Sequence, residues 1–295
     1  PTSIYPMTNG QTIAFLNGDL MPLDAARISP MDRGFLFGDG IYEVIPSYNG
    51  QFVGFSRHMD RLREGLTAIG IANPHCDTDW QHILKDLIQQ NGAGELAIYL
   101  QVTRGVVEKR AHRFPDDVTP TVFAYTFAIE APLAGDPNAS PCFHVTTGKD
   151  QRWKRCHIKS IALLGNVLHM MEGVDNGADE ILLFNDDDEL TEAAACNVFT
   201  VNNGVIATPI LDQQKLAGIT RNMLVDMIRG ETNWPLSEAR LSREHLLAAD
   251  EVWLTSSTKE IAPVITVDGH VVGDGRPGPV WSKAQALFDQ HRFHY

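Results

Sequence analysis

The sequence predicts an α+β protein with two domains, and three observations lead to that fold class. First, hairpin turns recur along the chain, because four Asn-Gly or Asp-Gly pairs lie between apolar or β-branched stretches: Asn17-Gly18, Asn49-Gly50, Asn203-Gly204 and Asp268-Gly269. Second, apolar residues at helical spacing occur in separate segments between the strands. Third, the chain has neither a regular βαβ alternation nor a G-x-G-x-x-G sequence after a strand, which argues against a Rossmann domain.

The first domain is predicted to span residues 1–130. Two helices follow the second hairpin, because apolar residues recur at helical spacing in two groups: Met59, Leu62, Leu66 and Ile69, and then Trp80, Ile83, Leu84, Leu87 and Ile88. "ELAIYLQVTRG" alternates apolar and polar residues and "TVFAYTFAI" is rich in β-forming residues, so both predict strands. Residues 131–141 concentrate Pro, Gly, Asn and Ser without periodicity, and we predict that they link the domains.

The second domain is predicted to span residues 142–295. Its elements are a strand, a helix, a set of hairpin strands, a second helix and a last strand, over residues 142–147, 161–173, 180–209, 219–229 and 251–257. Strands and helices in this order, without regular alternation, again predict the α+β class.

Composition excludes several classes of function. The formal net charge of -13 argues against nucleic-acid binding, which depends on basic clusters. "PTSIYPMTNG" lacks the features of a signal peptide, and no apolar stretch approaches the roughly 20 residues of a membrane span, so we expect a cytoplasmic protein without a membrane partner. Four scattered cysteines and the absence of an H-E-x-x-H sequence predict neither a disulfide framework nor a metal site.

One lysine stands in apolar surroundings. Lys159 lies in "CHIKSIALLGNVLHMM", just before an apolar run. Its position alone favours a side chain that lies along apolar surface with its charged end in water. The alternative is a desolvated lysine whose neutral amine is available for Schiff-base chemistry, and this interpretation requires partners elsewhere in the chain.

Two other segments offer such partners. Gly218 precedes an amphipathic helix whose first residues are Ile219 and Thr220, and a helix start of this kind binds phosphate through free backbone N–H groups. "TSSTKE", residues 255–260, adds hydroxyl donors, although both segments are also ordinary for loops and turns. Glu192 enters an apolar segment, where a carboxylate needs a partner such as a protonated heterocyclic nitrogen.

A basic cluster interrupts the acidic chain at "QVTRGVVEKRAHRFP", residues 101–115. A solvated basic loop explains the cluster equally well on charge density alone. In a binding site, Arg110 offers a planar fork for a carboxylate and His112 a second donor. Pyridoxal 5′-phosphate has three groups that these features match: the lysine suits its aldehyde, the helix start its phosphate and the buried acid its ring nitrogen. The arginine and the histidine suit the carboxylate of an amino acid.

The chain closely resembles the fold-type IV pyridoxal-phosphate aminotransferases, and among them the D-amino-acid transaminases. The resemblance covers nearly the whole chain, through "DRGFLFGDGIYEV", "HMDRL", "QVTRG…RAHRFP", "RWKRCHIKSIALLGNVL", "LTEAAACNVF", "LAGITR" and "TSSTKEIAPV". It implies a two-domain fold-type IV enzyme that moves an amino group between D-amino acids, with D-alanine and D-glutamate expected, and 2-oxo acids such as 2-oxoglutarate or pyruvate.

The resemblance also assigns roles residue by residue. Lys159 is implied as the catalytic Schiff-base lysine and Glu192 as the partner of the pyridine nitrogen, while Leu216 packs on the ring. The phosphate is implied to lie on Arg61, the backbone of Ile219 and Thr220, and Ser257. Tyr42 is implied to bind the substrate carboxylate with Arg110 and His112, the last two coming from the neighbouring subunit of a homodimer.

One departure and three alternatives accompany the resemblance. Where the family has a run of small hydroxyl residues, this chain has Ala193, Ala194, Ala195 and Cys196. Side-chain hydrogen bonds near the cofactor are therefore expected to be lost. A branched-chain L-amino-acid aminotransferase shares the fold, the lysine and the glutamate but is not expected to have R-A-H. An aminodeoxychorismate lyase uses the same cofactor for elimination, and a non-catalytic acidic binding protein has no use for Lys159 and Glu192 together.

Overall fold

The computed structural model describes residues 12–132 and 135–295. The chain separates into two compact units: unit 1 ends at Ala131 and also contains Ile158–Ala162, and unit 2 contains the rest, up to Tyr295. The N-terminal stretch "PTSIYPMTNG" and two residues of the predicted linker lie outside the described residues.

Unit 1 is built on a six-stranded antiparallel sheet in the order β2-β1-β6-β5-β3-β4. Its strands are β1 (Ile13–Leu16), β2 (Asp19–Pro22), β3 (Gly40–Tyr48), β4 (Gln51–Phe52), β5 (Glu95–Thr103) and β6 (Thr121–Ala128), and its helices are α1 (Arg33–Phe37), α2 (Phe55–Ala68) and α3 (Asp77–Gln90). The predicted apolar faces of α2 and α3 pack on this sheet and bury Met59, Leu62, Trp80 and Leu84 in one core.

The segment Ile158–Ala162 belongs to unit 1 because it pairs with β3. Tyr42 N–H donates to the Lys159 carbonyl over 3.1 Å, and Ile161 N–H donates to the Gly40 carbonyl over 3.1 Å. The predicted division, which assigned Lys159 to the C-terminal domain, differs from this grouping. The difference arises because two main-chain hydrogen bonds extend the sheet of unit 1 at this point.

Unit 2 contains a nine-stranded mixed sheet in the order β12-β11-β10-β13-β14-β7-β8-β9, with β15 paired to β14. Its strands are β7 (Phe143–Lys149), β8 (Glu180–Phe184), β9 (Leu190–Ala193), β10 (Asn197–Asn202), β11 (Val205–Pro209), β12 (Leu236–Ala239), β13 (Glu251–Ser256), β14 (Glu260–Val267) and β15 (His270–Val271). Its helices are α4 (Leu164–Asp175), α5 (Ile219–Glu231), α6 (Arg243–Leu247) and α7 (Pro279–His291). Pairs β7–β8, β7–β14 and β11–β12 are parallel.

The four predicted hairpin turns are confirmed. Each lies between two paired strands, and both residues of each turn have positive φ, with 51° and 105° at Asn17 and Gly18 as an example. Asparagine, aspartate and glycine tolerate this conformation better than other residues. The helix predicted over residues 161–173 instead begins at Leu164, because Ile161 is paired with β3.

Among the described residues, no helix has both the length and the apolar character needed to cross a membrane. In the same part of the chain, no group of three or more His, Cys, Asp or Glu side chains is arranged to hold a metal ion.

Candidate active site

Lys159 lies beside an aromatic ring. Its side chain is half-buried, and Nζ is 4.1 Å from the centroid of the Tyr42 ring. Tyr42 in turn stacks on Tyr99, with ring centroids 5.7 Å apart. Because the Tyr42 N–H donates a hydrogen bond to the Lys159 carbonyl, strand β3 fixes both Lys159 and the aromatic ring that the lysine amine faces. The amine therefore lies at the face of an aromatic ring, where a cation is attracted.

Arg61 is fixed on α2 by a buried carboxylate. Its Nε and Nη2 donate to the two oxygens of Glu43 over 2.8 and 2.7 Å, and Glu43 also accepts from His58 Nδ1 over 2.7 Å. Burial alone raises the pKa of Glu43, but Arg61 and His58 outweigh it and lower the pKa from 4.5 to about 2. Glu43 is therefore ionised at neutral pH and holds Arg61 in one orientation.

His58 is a buried member of the same network. Burial lowers the pKa of His58 against the opposing effect of Glu43, so the ring is neutral at neutral pH and its proton is on Nδ1, where the carboxylate accepts it. Sequence reasoning missed Glu43 and His58. Both lie within motifs that carry the resemblance, "GDGIYEV" and "HMDRL", but their contact joins residues from a strand and a helix.

The loop between β5 and β6 carries Arg110 and His112. Both side chains are exposed, and both lie against Phe37 of α1, which is 4.6 Å from Arg110 Cζ and has its ring centroid 5.4 Å from that of His112. The structure thus brings two of the three residues predicted for carboxylate binding together on one ring. The third, Tyr42, has its ring contacts with Lys159 and Tyr99.

Glu192, on β9 of unit 2, has three hydrogen-bond donors. Its carboxylate accepts from Arg152 Nη1 over 2.6 Å, from the N–H of Leu216 over 3.0 Å and from Asn197 Nδ2 over 3.2 Å. Burial raises the pKa of Glu192, while Arg152 and the Leu216 N–H oppose that rise. The prediction that this carboxylate needs a partner is met within the chain by Arg152, a residue that sequence reasoning did not single out.

Arg152 is itself shared between two carboxylates. Nε and Nη2 donate to Asp150 over 3.0 and 2.8 Å, and Thr191 donates its hydroxyl to the same aspartate over 2.8 Å. Although burial alone raises the pKa of Asp150, Arg152 lowers it below its ordinary value. Asp150, Arg152 and Glu192 therefore carry a net charge of one negative unit when both acids are ionised, which a single protonated ring nitrogen balances.

The start of α5 suits an anion. Gly218 is its N-cap and gives no side-chain cap, so the first N–H groups, at Ile219 and Thr220, point out of the helix end. A Cβ at Gly218 would collide with Asn197 Oδ1, so only glycine allows this approach.

A strand beside this helix start adds hydroxyl groups. Asn197 on β10 is paired with Thr255 on β13, and its side chain also donates to the Leu216 carbonyl over 2.9 Å. Thr255 Oγ1 is buried without a hydrogen-bond partner among the described residues, and Ser257 follows two residues later, half-buried. A buried hydroxyl without a partner is costly, so a phosphate oxygen at this helix start fits the residues present.

The alanine run is held through its backbone. Glu180 accepts from the N–H groups of Ala194 and Ala195 over 3.1 and 3.2 Å, and Asn166 donates to the Ala194 carbonyl over 2.7 Å. Burial raises the pKa of Glu180, and the backbone donors oppose that rise. The expected loss of side-chain hydrogen bonds is therefore accompanied by main-chain bonds that position the segment after Glu192.

The chain belongs to the class IV amino-transferase family, whose sequence profile matches residues 40–267. Its relatives include proteins named D-alanine aminotransferase. That of Listeria monocytogenes is 35% identical over 273 residues, which are 92% of this chain and 93% of the relative. Those of Bacillus licheniformis and Staphylococcus aureus are each 36% identical, over 91% and 94% of this chain and 93% and 96% of the relatives.

Solved structures confirm the predicted fold class. A branched-chain amino acid aminotransferase of Escherichia coli has a TM-score of 0.87 at 23% identity, over 96% of this chain and 95% of that one. The holo form of a branched-chain amino acid aminotransferase from Thermobaculum terrenum has a TM-score of 0.86 at 20% identity, over 97% and 95%. At these identities the likeness concerns the fold alone.

Proposed function

We propose that this class IV aminotransferase moves an amino group between D-amino acids and 2-oxo acids. The observation that carries the proposal is the identity of 35–36% to D-alanine aminotransferases over more than nine tenths of the chain. The pair of Arg110 and His112 on one ring supports it, because two convergent donors suit a substrate carboxylate. D-Alanine and D-glutamate are the proposed donors, and 2-oxoglutarate and pyruvate the proposed acceptors.

Class IV aminotransferases use pyridoxal 5′-phosphate, which, when bound, accepts the electrons of the substrate's α-carbon as its proton leaves. We propose that Arg61, the N–H groups of Ile219 and Thr220, and Ser257 bind the phosphate, and that Leu216 contacts the ring. Two observations support this assignment. The start of α5 has no side-chain cap, and a hydrogen bond to Glu43 holds the Arg61 guanidinium in one orientation.

Lys159 is the proposed catalytic residue. Its Nζ would hold the cofactor aldehyde, and the same amine would act as the base that takes the proton from the substrate's α-carbon and as the acid that gives it back on the cofactor side. The hydrogen bond from the Tyr42 N–H to the Lys159 carbonyl supports this role, because it fixes the lysine on strand β3.

Glu192 is proposed to accept the N–H of the pyridine ring. The net charge of one negative unit on Asp150, Arg152 and Glu192 supports this role, because it is neutralised by one protonated nitrogen. The hydrogen bonds from Asn197 and Leu216 hold the carboxylate in one rotamer, so the acceptor is oriented before the cofactor binds.

The substrate carboxylate is proposed to bind Arg110, His112 and Tyr42. The first two come from the neighbouring subunit of a homodimer in this proposal. An apolar face on α4 supports self-association, since exposed residues follow one another at helical spacing with exposures of 48–71%: Leu164, Val167, Leu168, Met171 and Val174. A cytoplasmic location remains a prediction.

The homodimer proposal is tested by introducing one charge into the apolar face. Leu168→Glu is expected to convert the dimer to monomers in sedimentation velocity, because a carboxylate would be buried without a partner at the interface. Leu247→Glu is the matched control, since this leucine is also about half exposed but lies on α6. A monomeric wild type, or a dimer that Leu168→Glu leaves intact, contradicts the proposal.

The activity is tested by paired assays. D-Alanine and L-leucine are each offered with 2-oxoglutarate to the wild type and to Arg110→Ala, and we expect the wild type to use the D-donor and the variant to have a raised KM for it. Exclusive use of L-leucine would assign the branched-chain L-activity instead. Pyruvate released from aminodeoxychorismate without an oxo-acid acceptor would assign the lyase.

A further inference from the structure

A buried arginine holds the backbone of the loop that carries Arg110 and His112. Arg33, the first residue of α1, is only 3% exposed. Its Nη1 donates to the Ala111 carbonyl over 2.6 Å and to the Arg113 carbonyl over 3.4 Å, and its Nη2 donates to the His112 carbonyl over 3.4 Å. One guanidinium therefore binds three consecutive carbonyls of a loop that is otherwise exposed.

Arg33 is in turn fixed by charge. Its Nε donates to Asp39 Oδ2 over 2.7 Å, and Arg104 binds the same carboxylate with Nε and Nη2 over 2.7 and 3.0 Å. Arg104 also lies 3.5 Å from the centroid of Phe114, at the end of the loop segment that Arg33 holds. The segment from residue 110 to residue 114 is thus attached to the domain at its carbonyls and at its last ring.

Phe37 connects the anchor to the functional side chains. It follows Arg33 by one helical turn, and Arg33 Cζ lies 4.7 Å from its ring centroid. The same ring contacts Arg110 and His112, at 4.6 and 5.4 Å. Arg33 and Phe37 together therefore fix the backbone and the side-chain direction of the two residues proposed to bind the carboxylate.

We propose that Arg33 is a positioning residue that sets the affinity for the substrate carboxylate. The inference rests on the proposed function, since it acts through Arg110 and His112. A loop without helix or strand samples many backbone conformations, and a two-donor carboxylate site requires one of them. Arg33 supplies that order in the backbone of the loop before the substrate arrives.

Arginine suits this position better than lysine. A planar fork with five N–H donors reaches Asp39 and several carbonyls at once, whereas an ammonium is a single point with three donors. Arg33→Lys therefore keeps the charge beside Asp39 while it removes most of the carbonyl contacts. Phe37→Leu keeps the anchor and removes the ring that Arg110 and His112 contact.

The test separates KM from kcat in the holoenzyme. For Arg33→Lys and Phe37→Leu we expect KM for D-alanine and for 2-oxoglutarate to rise about tenfold, with kcat changed by less than about threefold, because preorganisation of substrate binding is lost while the reacting groups stay in place. Arg63→Lys is the matched control, since Arg63 is an exposed arginine of α2 paired with Asp60 and Asp77.

A double-mutant cycle identifies the route of the effect. Arg33→Lys in an Arg110→Ala background is expected to leave KM at the value of Arg110→Ala alone, because the residue that Arg33 positions is already gone. Full additivity, or a rise in KM that the control variant also produces, overturns the proposal. If Arg33→Lys does not fold, as judged by its thermal unfolding, Phe37→Leu is put through the same cycle and decides.

The outcomes distinguish the inference from the proposed function. If Arg110→Ala raises KM but Arg33→Lys and Phe37→Leu do not, the positioning role is wrong and the carboxylate site stands. If Arg110→Ala and His112→Ala both leave KM unchanged, the carboxylate site is wrong and the positioning role falls with it.

Discussion

Replacement of Arg152 by methionine tests the charge network around Glu192. Methionine keeps a long side chain but removes the hydrogen bonds of the guanidinium. These are the one of 2.6 Å to Glu192, the two to Asp150 and the one of 3.2 Å to the Gln214 carbonyl. Glu192 and Asp150 then face each other's charge without the cation between them. Loss of one member of a buried ion pair costs about 3–5 kcal/mol of the free energy of unfolding, so we expect a loss in this range at neutral pH.

The pH dependence of that loss follows from the carboxyl groups. Burial already raises the pKa of Glu192, and without Arg152 its folded-state pKa lies still further above the unfolded value. The folded variant then binds this proton more tightly than the unfolded chain, so its stability falls as the pH rises past the unfolded pKa. Asp150 changes the stability in the same direction, because Arg152 lowers the pKa of Asp150 in the wild type and this lowering is lost in the variant. The deficit of Arg152→Met should therefore be larger at pH 8 than at pH 5.

Urea unfolding at both pH values, at equal protein and cofactor concentrations, measures the deficit. Arg240→Met is the matched control, because Arg240 makes a single 2.7 Å ion pair with Glu189 and is 65% exposed. Such a pair contributes about 0–1 kcal/mol, so the control should differ little from the wild type. A deficit of Arg152→Met below about 1 kcal/mol, or one that is equal at pH 5 and pH 8, refutes the argument from buried charge.

Two further predictions concern the groups proposed to hold the phosphate. Glu43→Gln should reduce the free energy of unfolding by about 2–4 kcal/mol at pH 7, because Arg61 loses its buried counter-charge. Since the folded-state pKa of Glu43 is lowered from 4.5 to about 2, the wild type loses this advantage in stability as the pH falls through that interval. If urea unfolding gives the same difference in the free energy of unfolding between wild type and variant at pH 7 and at pH 3, the prediction is wrong. Gly218→Ala should weaken cofactor binding about tenfold or more in a fluorescence titration, because its Cβ collides with Asn197 and shifts the start of α5. Gly94→Ala, where a Cβ meets open space, should bind the cofactor as the wild type does.

Local features of the fold could be predicted from the sequence. The hairpin turns are specified by residues that tolerate positive φ, and the apolar faces of α2 and α3 by a repeat within each segment. Helix α7 was missed, although Trp281, Ala284, Gln285 and Phe288 are buried at helical spacing. Its pattern is broken by a buried glutamine, which is tolerated because its side chain donates to Glu260 over 2.6 Å.

Features that depend on distant contacts could not be predicted. Helix α4 begins later than its apolar pattern indicates because Ile161 pairs with Gly40, far away in the chain. The same is true of the ion pairs at the candidate site. Arg152 and Glu192 are forty residues apart, and only the packed fold shows that the arginine is shared with Asp150. Charge type and spacing indicated that Glu192 needs a partner, but not which one.

The covalent bond between Lys159 and the cofactor is the central claim, and borohydride reduction followed by peptide mass spectrometry tests it most directly. Reduction traps the carbon–nitrogen bond, so the mass of a reduced pyridoxal phosphate should appear on the peptide that contains Lys159. The Lys159→Ala variant should carry no label at this position and should lose the amino-transfer activity. A label on another lysine, such as the buried Lys215, or no label on protein supplied with the cofactor, would contradict the account.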